Sequence, residues 1–568
     1  MGKCFELGEI FVTDYEKLAE LLFSHIEKTP EEYEEKYPQR NLPEGARVTR
    51  FAPSPTGFVH LGSLFASLSE MLIARSTDGL FYLRIEDTDK KREVEDGVTG
   101  IVKGLSDFGI EFDEGVMGLD EEKGDYGPYT QSKRKDIYQC FAKELVKKGL
   151  AYPCFCTEED ISQLRLKQEN DGLDTKGYYG EFAKCRSLSF EEQKELVESG
   201  KEYTLRLRSP GKADGKIIFE DLIKGKIEMP ENIQDIVLLK RDGIPTYHFA
   251  HAVDDHLMRS THIVRGDEWI SSVPTHIQLF KVCGFKVLKY AHISPIMKED
   301  EETGGKRKLS KRKDPEAAVE FFIEQGYTPE SVIEYLLTIA NSNFEDWRRA
   351  NPTAERFSFP FNPKKMSASG ALFDMNKMID VSKNVVSVMT AEQVYEKAVA
   401  WAEKYDKELY DLLSRDREYS IGIFSIDRGN KNPRKDISKW SDIKGYVEYF
   451  FDELYKENFD EMPENTDKNS AIEILEEYKK IYEHSDTKEE WFERIKELCP
   501  KIGYTPNVKE YKKTPELFKG HVGDVSSVIR VAVTSRKNTP DLYSIMQLLG
   551  KEKTLQRIDS CIEKLGGK

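Results

Sequence analysis

The chain lacks any apolar run long enough to cross a bilayer, and its first 25 residues carry Glu6, Glu9, Asp14 and Glu16, which argues against a secretory or organelle-targeting leader. A cytoplasmic protein with no membrane partner is expected. Cysteine is scarce, eight in 568 residues, so a disulfide framework is excluded and reduced thiols are the expectation. No internal repeat or low-complexity tract stands out, and no Ser-His-Asp arrangement for nucleophilic catalysis is present. Positive charge is in deficit: 85 Lys and Arg against 102 Asp and Glu leave a net charge of −17. That balance weighs against a polyanionic partner unless the basic residues gather on one face. What remains is an ordinary composition, 39% hydrophobic and 33% charged, in a chain too long for one core.

Two stretches carry chemistry. In Phe51-Ala-Pro-Ser-Pro-Thr-Gly-Phe-Val-His60-Leu-Gly-Ser63, the residues Pro53, Pro55 and Gly57 deny regular hydrogen bonding, and Leu61, Leu64, Phe65, Leu68 and Leu72 then repeat at helical spacing. His60 and Gly62 are therefore expected at a helix N-terminus, between short strands at Val48 to Ala52 and Phe81 to Ile85. Free N–H groups there favour a phosphate. The second stretch, Lys306 to Lys313, follows Gly304 and Gly305 and reads as a flexible basic segment able to swing cations onto a polyphosphate.

Together these stretches resemble the paired H-I-G-H and K-M-S-K-S signatures of class I aminoacyl-tRNA synthetases. The form R-F-A-P-S-P-T-G-x-x-H-x-G, followed by Leu83-Arg84-Ile85-Glu86-Asp87-Thr88-Asp89, resembles the glutamyl-tRNA synthetase family, with Ser63 where the motif ends in His. The glutaminyl relatives carry different versions of both segments. The resemblance runs from about Arg47 to the C-terminus. It implies an α/β fold: a Rossmann-type parallel-sheet catalytic domain split by an α+β insertion, followed by an all-helical anticodon-binding region. The expected divisions are an N-terminal extension over 1–46, taken as a surface appendage, then catalytic halves over 47–134 and 236–312. Between the halves lies an acceptor-end insertion (135–235), and after them a stem-contact domain (313–383) and helical anticodon domain (384–568). Strands are expected at Tyr203 to Arg208, Ile217 to Phe219 and Ile236 to Leu239, the last resuming the catalytic sheet, and helices include Ile443 to Leu454.

The implied reaction joins glutamate to AMP with loss of pyrophosphate and passes the glutamyl group to a tRNA 3′ end. A carboxylate is already a nucleophile at neutral pH, so positioning and charge stabilisation should carry the first step. The resemblance assigns ATP, with Mg2+, to Pro53, Gly57, His60, Leu61, Gly62, Ser63, Leu309, Ser310 and Lys311. His60, Gly62, Lys308 and Lys311 are the catalytic set, Gly62 keeping the nucleotide's approach clear. Each motif alone has a bland reading, a helix-capping histidine or a solvated lysine run; their pairing, in order and about 250 residues apart, favours function. Glutamate falls to Arg50 and Arg265 for its γ-carboxylate, Ser54 and Tyr247 as hydrogen-bond donors, and Glu86 for the ammonium. Charge-assisted bonds of roughly 1.5–3 kcal/mol each let two arginines reject glutamine by about a hundredfold. His251 stands where the family usually has Asn and belongs to the same pocket. The implied partners are tRNA(Glu), in some members also tRNA(Gln), and a monomer is expected.

Six of the ten histidines fall between 248 and 292, but His251, Asp254, Asp255 and His256 are read as substrate-binding and bracing residues, not metal ligands. Cys154, Cys156 and Cys185 match a zinc pattern of some relatives except that Ser187 replaces the fourth ligand, so no metal is expected, although Tyr178 or Tyr179 is a conceivable substitute. A glutaminyl-tRNA synthetase, or a tRNA-binding paralogue that has lost catalysis, is the alternative; intact His60, Lys311 and arginines speak against the latter.

Overall fold

The computed structural model describes residues 14–55, 59–89, 96–300, 302–310, 312–463 and 466–567. Gly57 and Lys311, both expected at the ATP site, lie outside the described residues, as do the first 13 residues of the extension. The chain forms two compact units, Met1–Phe321 with Leu336–Asp374, and Phe322–Tyr335 with Met375–Lys568.

In the first unit, strands Val48–Phe51, Leu80–Leu83 and Glu114–Val116 run parallel, with Glu122–Lys123 antiparallel at the edge. Their residues are almost all buried, as expected of a sheet covered on both faces. A second sheet sets His262–Gly266 parallel to Lys289–Ile293, which is parallel to Lys216–Asp221. Thr261 joins the two: its amide donates to the Val48 carbonyl at 3.0 Å, and its hydroxyl accepts from the Val48 amide at 2.7 Å. The parallel strands on either side of Thr261 make a Rossmann-type arrangement with its order reversing at Val48–Phe51.

Two strands exchange places relative to expectation. Val237–Leu239 pairs antiparallel with Thr204–Leu207, which pairs with Ala151–Cys154, in a separate three-stranded sheet. The catalytic sheet resumes instead at His262, while Lys216–Asp221 joins it through Tyr290. An apolar strand of three or four residues carries no mark of its partner, so the exchange is decided by pairing across the sheet. Likewise the segment after Thr246 is a helix, Tyr247–Leu257.

The N-terminal segment is a brace and not a surface appendage. Leu18, Leu22, Phe23, Tyr33 and Tyr37 are buried. Lys143 bonds the Ile26 carbonyl at 2.9 Å, and the Tyr37 carbonyl accepts from Arg259 Nε at 2.9 Å. Arg40 lies 3.8 Å over the Tyr126 ring and pairs with Glu114 at 2.8 Å. The polar residues that look like a solvated linker are the ones that tie it down.

The second unit is helical, its core including Val394, Leu413, Trp440, Ile474, Val525 and Ile545. Of the helix expected over Ile443 to Leu454, only Ile443–Val447 is α-helical; Glu448–Phe450 tightens to a 3-10 turn, and Phe451 is extended. The Tyr419 hydroxyl takes the Phe450 carbonyl at 3.2 Å, a tertiary bond that replaces a helical one.

Candidate active site

The functional side chains gather at the carboxyl ends of the parallel strands, on either side of the point where the order reverses, which is where open α/β sheets bind ligands. Val48–Phe51 carries Arg50 and leads into Pro53 and the exposed Ser54; Leu80–Leu83 leads into Arg84 and Glu86; His262–Gly266 carries Arg265. The Glu86 amide donates to the Pro53 carbonyl at 3.0 Å, pinning the loop to the neighbouring strand end.

His60 is the N-cap of the Leu61–Arg75 helix. Its Nδ1 accepts from the Ser63 amide at 2.9 Å, and Ser63 Oγ accepts from the His60 amide at 2.9 Å, a reciprocal cap. The capping histidine and the expected ATP-facing histidine are thus one residue. A Cβ on Gly62 would sit 3.1 Å from the His60 ring, so this glycine answers to the ring as well as to any nucleotide. Leu61 is fully buried, which leaves its backbone as its route to a ligand. His60 also bridges to Ala318, bringing the first motif against the chain just beyond the basic segment.

That segment is less flexible than its glycines suggest. Lys306–Lys308 is a strand paired antiparallel with Ile296–Glu299, and the Leu309 amide donates to the Ile296 carbonyl at 2.9 Å. Buried Asp314 accepts both arms of Arg307 at 2.6 Å and the Ser310 amide at 2.9 Å. Arg307 holds its carboxyl far below the usual range. Arg307 is therefore structural, whereas the Lys308 side chain is exposed, 3.9 Å from Glu268.

Below the strand ends lies a buried ionic lattice that joins the two sheets. Asp255 accepts from Arg50 Nε at 3.0 Å and Arg84 Nη1 at 2.8 Å, and Arg84 Nη2 donates to Glu86 at 2.9 Å. Asp254 accepts from Arg134 at 2.7 Å, Tyr138 at 2.8 Å and Gln131 at 2.9 Å. Burial alone would raise the Asp255 pKa, but Arg50 and Arg84 pull it well below the ordinary value. Burial raises that of Glu86, against the pull of Arg84 and Arg50. His251 Nδ1 lies 2.8 Å from Asp255 Oδ2, and burial lowers its pKa to about 3. Neither ring nitrogen of His251 makes a well-aligned hydrogen bond among the described residues, despite the short separation from Asp255. The sequence placed Arg50 on the substrate alone; in the structure its Nε serves Asp255 and its Nη1 donates to the Val264 carbonyl at 3.2 Å, leaving Nη2 for a ligand. His256 pairs with Glu34 of the N-terminal brace.

One hydroxyl reports the convergence. Burial raises the Tyr247 pKa first, then the charge of Glu86, while Arg265 and Arg50 lower it. Of these, Arg265 touches the phenol, its Nη1 lying 3.4 Å from the Tyr247 hydroxyl. Reasoning from sequence missed Asp255 and Arg84 as the lattice's centre, although Arg84 lies inside the quoted motif. It also missed His248, His276 and His292, for which only the local abundance of histidine was a signal.

Away from the strand ends, the Sγ atoms of Cys154, Cys156 and Cys185 all lie within 4.8 Å of one another. Tyr178 Oη sits 3.3 Å from Cys156 Sγ and accepts from the Cys185 amide at 3.0 Å. Hydrogen bonds from Cys156 and Cys185 lower the Cys154 pKa. Beside them a cavity of about 510 Å³ is lined by Arg165, Lys176, Tyr178, Arg206 and His248.

Residues 47–380 match the family described as tRNA synthetases class I (E and Q), catalytic domain, and residues 505–562 match an anticodon binding domain. The chain belongs to this class I synthetase family. Among relatives, a glutamate--tRNA ligase of Clostridium perfringens (strain 13 / Type A) is 51% identical over 547 residues, 96% of this chain and all of that protein. The Bacillus subtilis (strain 168) glutamate--tRNA ligase is 34% identical, covering 90% of this chain and 98% of that protein. The crystal structure of a glutamate tRNA ligase from Elizabethkingia meningosepticum in complex with its amino acid aligns with a TM-score of 0.71 and 28% identity over 92% of this chain.

Proposed function

We propose that the chain is a glutamate–tRNA ligase that activates L-glutamate with ATP and transfers it to the 3′ end of tRNA(Glu). The observation that carries this reading is the placement of Arg50, Glu86 and Arg265 on or just after the carboxyl ends of neighbouring parallel strands, in a chain about half identical to glutamate--tRNA ligases over nearly its full length. Two buried cations suit the γ-carboxylate, with Ser54 and Tyr247 as donors, and Glu86 suits the ammonium. His251, at the position where the family usually has Asn, belongs to the same pocket. ATP falls to the loop and helix start from Pro53 to Ser63 and to Lys308, Leu309, Ser310 and Lys311, with Mg2+ neutralising its phosphates. The cations lining the 510 Å³ cavity suit a phosphodiester chain end, and the helical unit with its anticodon-binding match suits the other end of the tRNA.

Pyrophosphate exchange with glutamate and with glutamine, each with and without tRNA, tests this. Glutamate-dependent exchange exceeding that with glutamine by about a hundredfold is expected; preference for glutamine, or no exchange with either, would refute the assignment. Charging of tRNA(Glu) and tRNA(Gln) transcripts then defines the tRNA range. No described helix is long and apolar enough to cross a membrane, in keeping with a cytoplasmic location.

Cys154, Cys156 and Cys185 with the Tyr178 phenol supply four donors, the number a structural zinc ion takes, which removes the objection raised by Ser187. Elemental assay of the purified protein should find about one zinc per chain, with loss of zinc lowering the melting temperature; less than about a tenth of an equivalent would rule the site out.

A further inference from the structure

We propose that Arg265 is set for its substrate by two opposed histidines, His276 and His292, each locked in one neutral tautomer, so that both are positioning residues for glutamate. This rests on the assignment of Arg265 to the glutamate carboxylate.

A guanidinium only donates, so any ring nitrogen bonded to it must offer a lone pair, and the other ring nitrogen must then carry the proton and find an acceptor. Both rings meet that condition. His292 Nε2 accepts from Arg265 Nε at 3.1 Å, while His292 Nδ1 donates to Asp221 Oδ2 at 2.6 Å. Asp221 is itself fixed by the amides of Ile223 at 3.0 Å and Lys224 at 2.9 Å, so it cannot turn away. His276 Nδ1 accepts from Arg265 Nη1 at 3.1 Å, and His276 Nε2 donates to His248 Nδ1 at 2.9 Å. The two rings come from different elements. His292 is the direct register partner of Arg265 on the neighbouring parallel strand, and His276 descends from the Val273–Val282 helix.

His276 and His292 are both fully buried. Burial, followed by the neighbouring His251 ring and Arg265, keeps His276 well below the ordinary histidine pKa, and burial lowers His292 despite Asp221. Protonation of either would replace an acceptor by a cation facing a cation. Arg265 Nη2 also donates to the Trp269 carbonyl at 3.2 Å, and Nη1 reaches the Tyr247 hydroxyl at 3.4 Å. Of five N–H groups, these contacts engage four, and the longest, to Tyr247, is the one a carboxylate most easily displaces. A side chain held on three sides enters the pocket in one orientation, which is what a charge-assisted contact with a small anion requires.

The test is glutamate-dependent pyrophosphate exchange by the full chain in the presence of tRNA. In His276→Leu the glutamate KM should rise about tenfold or more, with the ATP KM changed less than about twofold. His276→Gln, whose amide oxygen restores an acceptor, should recover most of the loss. His248→Phe, at the half-buried far end of the chain, frees the His276 tautomer and should raise the glutamate KM about threefold while melting like the unaltered protein. A glutamate KM unchanged in His248→Phe and in a folded His276→Leu, or a Gln variant no better than Leu, would overturn the proposal. Should His276→Leu fail to fold, the Gln and Phe variants decide. Absence of glutamate exchange in the unaltered enzyme would instead remove the functional assignment, and this inference with it.

Discussion

Replacing Asp255 by alanine is expected to lower the stability of the catalytic unit by about 3–5 kcal/mol and to abolish glutamate-dependent exchange. The carboxylate is fully buried and holds Arg50 and Arg84 at 3.0 and 2.8 Å, so its removal leaves buried Arg50 without its counter-ion and Arg84 with Glu86 as its remaining hydrogen-bonded anion. The coupled loss of function follows from the same bonds: Arg50 and, through Arg84, Glu86 take their positions from Asp255. The Asn variant, which keeps the volume and one acceptor, should fall between. Urea denaturation followed by circular dichroism and by tryptophan fluorescence measures the difference, and an alanine variant within about 1 kcal/mol of the unaltered protein would contradict the lattice's role. The pH dependence has a definite sign. Because the folded pKa of Asp255 is depressed, its contribution is present above the unfolded value of about 3.9 and is lost as pH falls through the folded one.

Lys311→Ala is expected to leave the fold intact and slow adenylate formation by about 10²–10³, the range for removing one preorganised charge from a transition state. Arg307, a cation of the same segment, cannot substitute, because both its arms are held by Asp314. The Asp314 and Lys313 amides donate to the Ser310 carbonyl at 2.9 and 3.1 Å, bonds made by main-chain groups of other residues that the substitution leaves in place. Single-turnover measurement of pyrophosphate release, with a melting curve on the same sample, separates chemistry from folding. A loss of tenfold or less would remove Lys311 from its assigned role.

Local pattern made much of the architecture legible. The helix after His60 follows from Leu61, Leu64, Phe65, Leu68 and Leu72, and the strands on either side from short apolar runs bounded by turns. The same kind of run misled at Val237–Leu239 and Lys216–Asp221, because the apolarity of a strand states that it is buried and not which strand lies beside it. Gly304 and Gly305 suggest a flexible basic segment, yet Arg307 and Asp314, seven residues apart, are joined at 2.6 Å. In the N-terminal segment, Tyr37, Arg40 and Glu34 look like solvated residues until their partners, more than seventy positions away, are placed.

The linear order of residues determined which chemical groups were present and where helices begin, since capping, turn residues and apolar periodicity act over a few positions. Thus His60 and Gly62 could be singled out from their neighbours in the chain, while Arg50, Glu86 and Arg265 came from the family resemblance. Only the tertiary structure decided what each group does with its hydrogens: that Arg50 shares its guanidinium with Asp255, that His60 caps its own helix, and that two histidines hold Arg265 between them. Protonation state, tautomer and the direction of a donor depend on the nearest charges and on burial in space, and those neighbours come from strands and helices far apart in sequence.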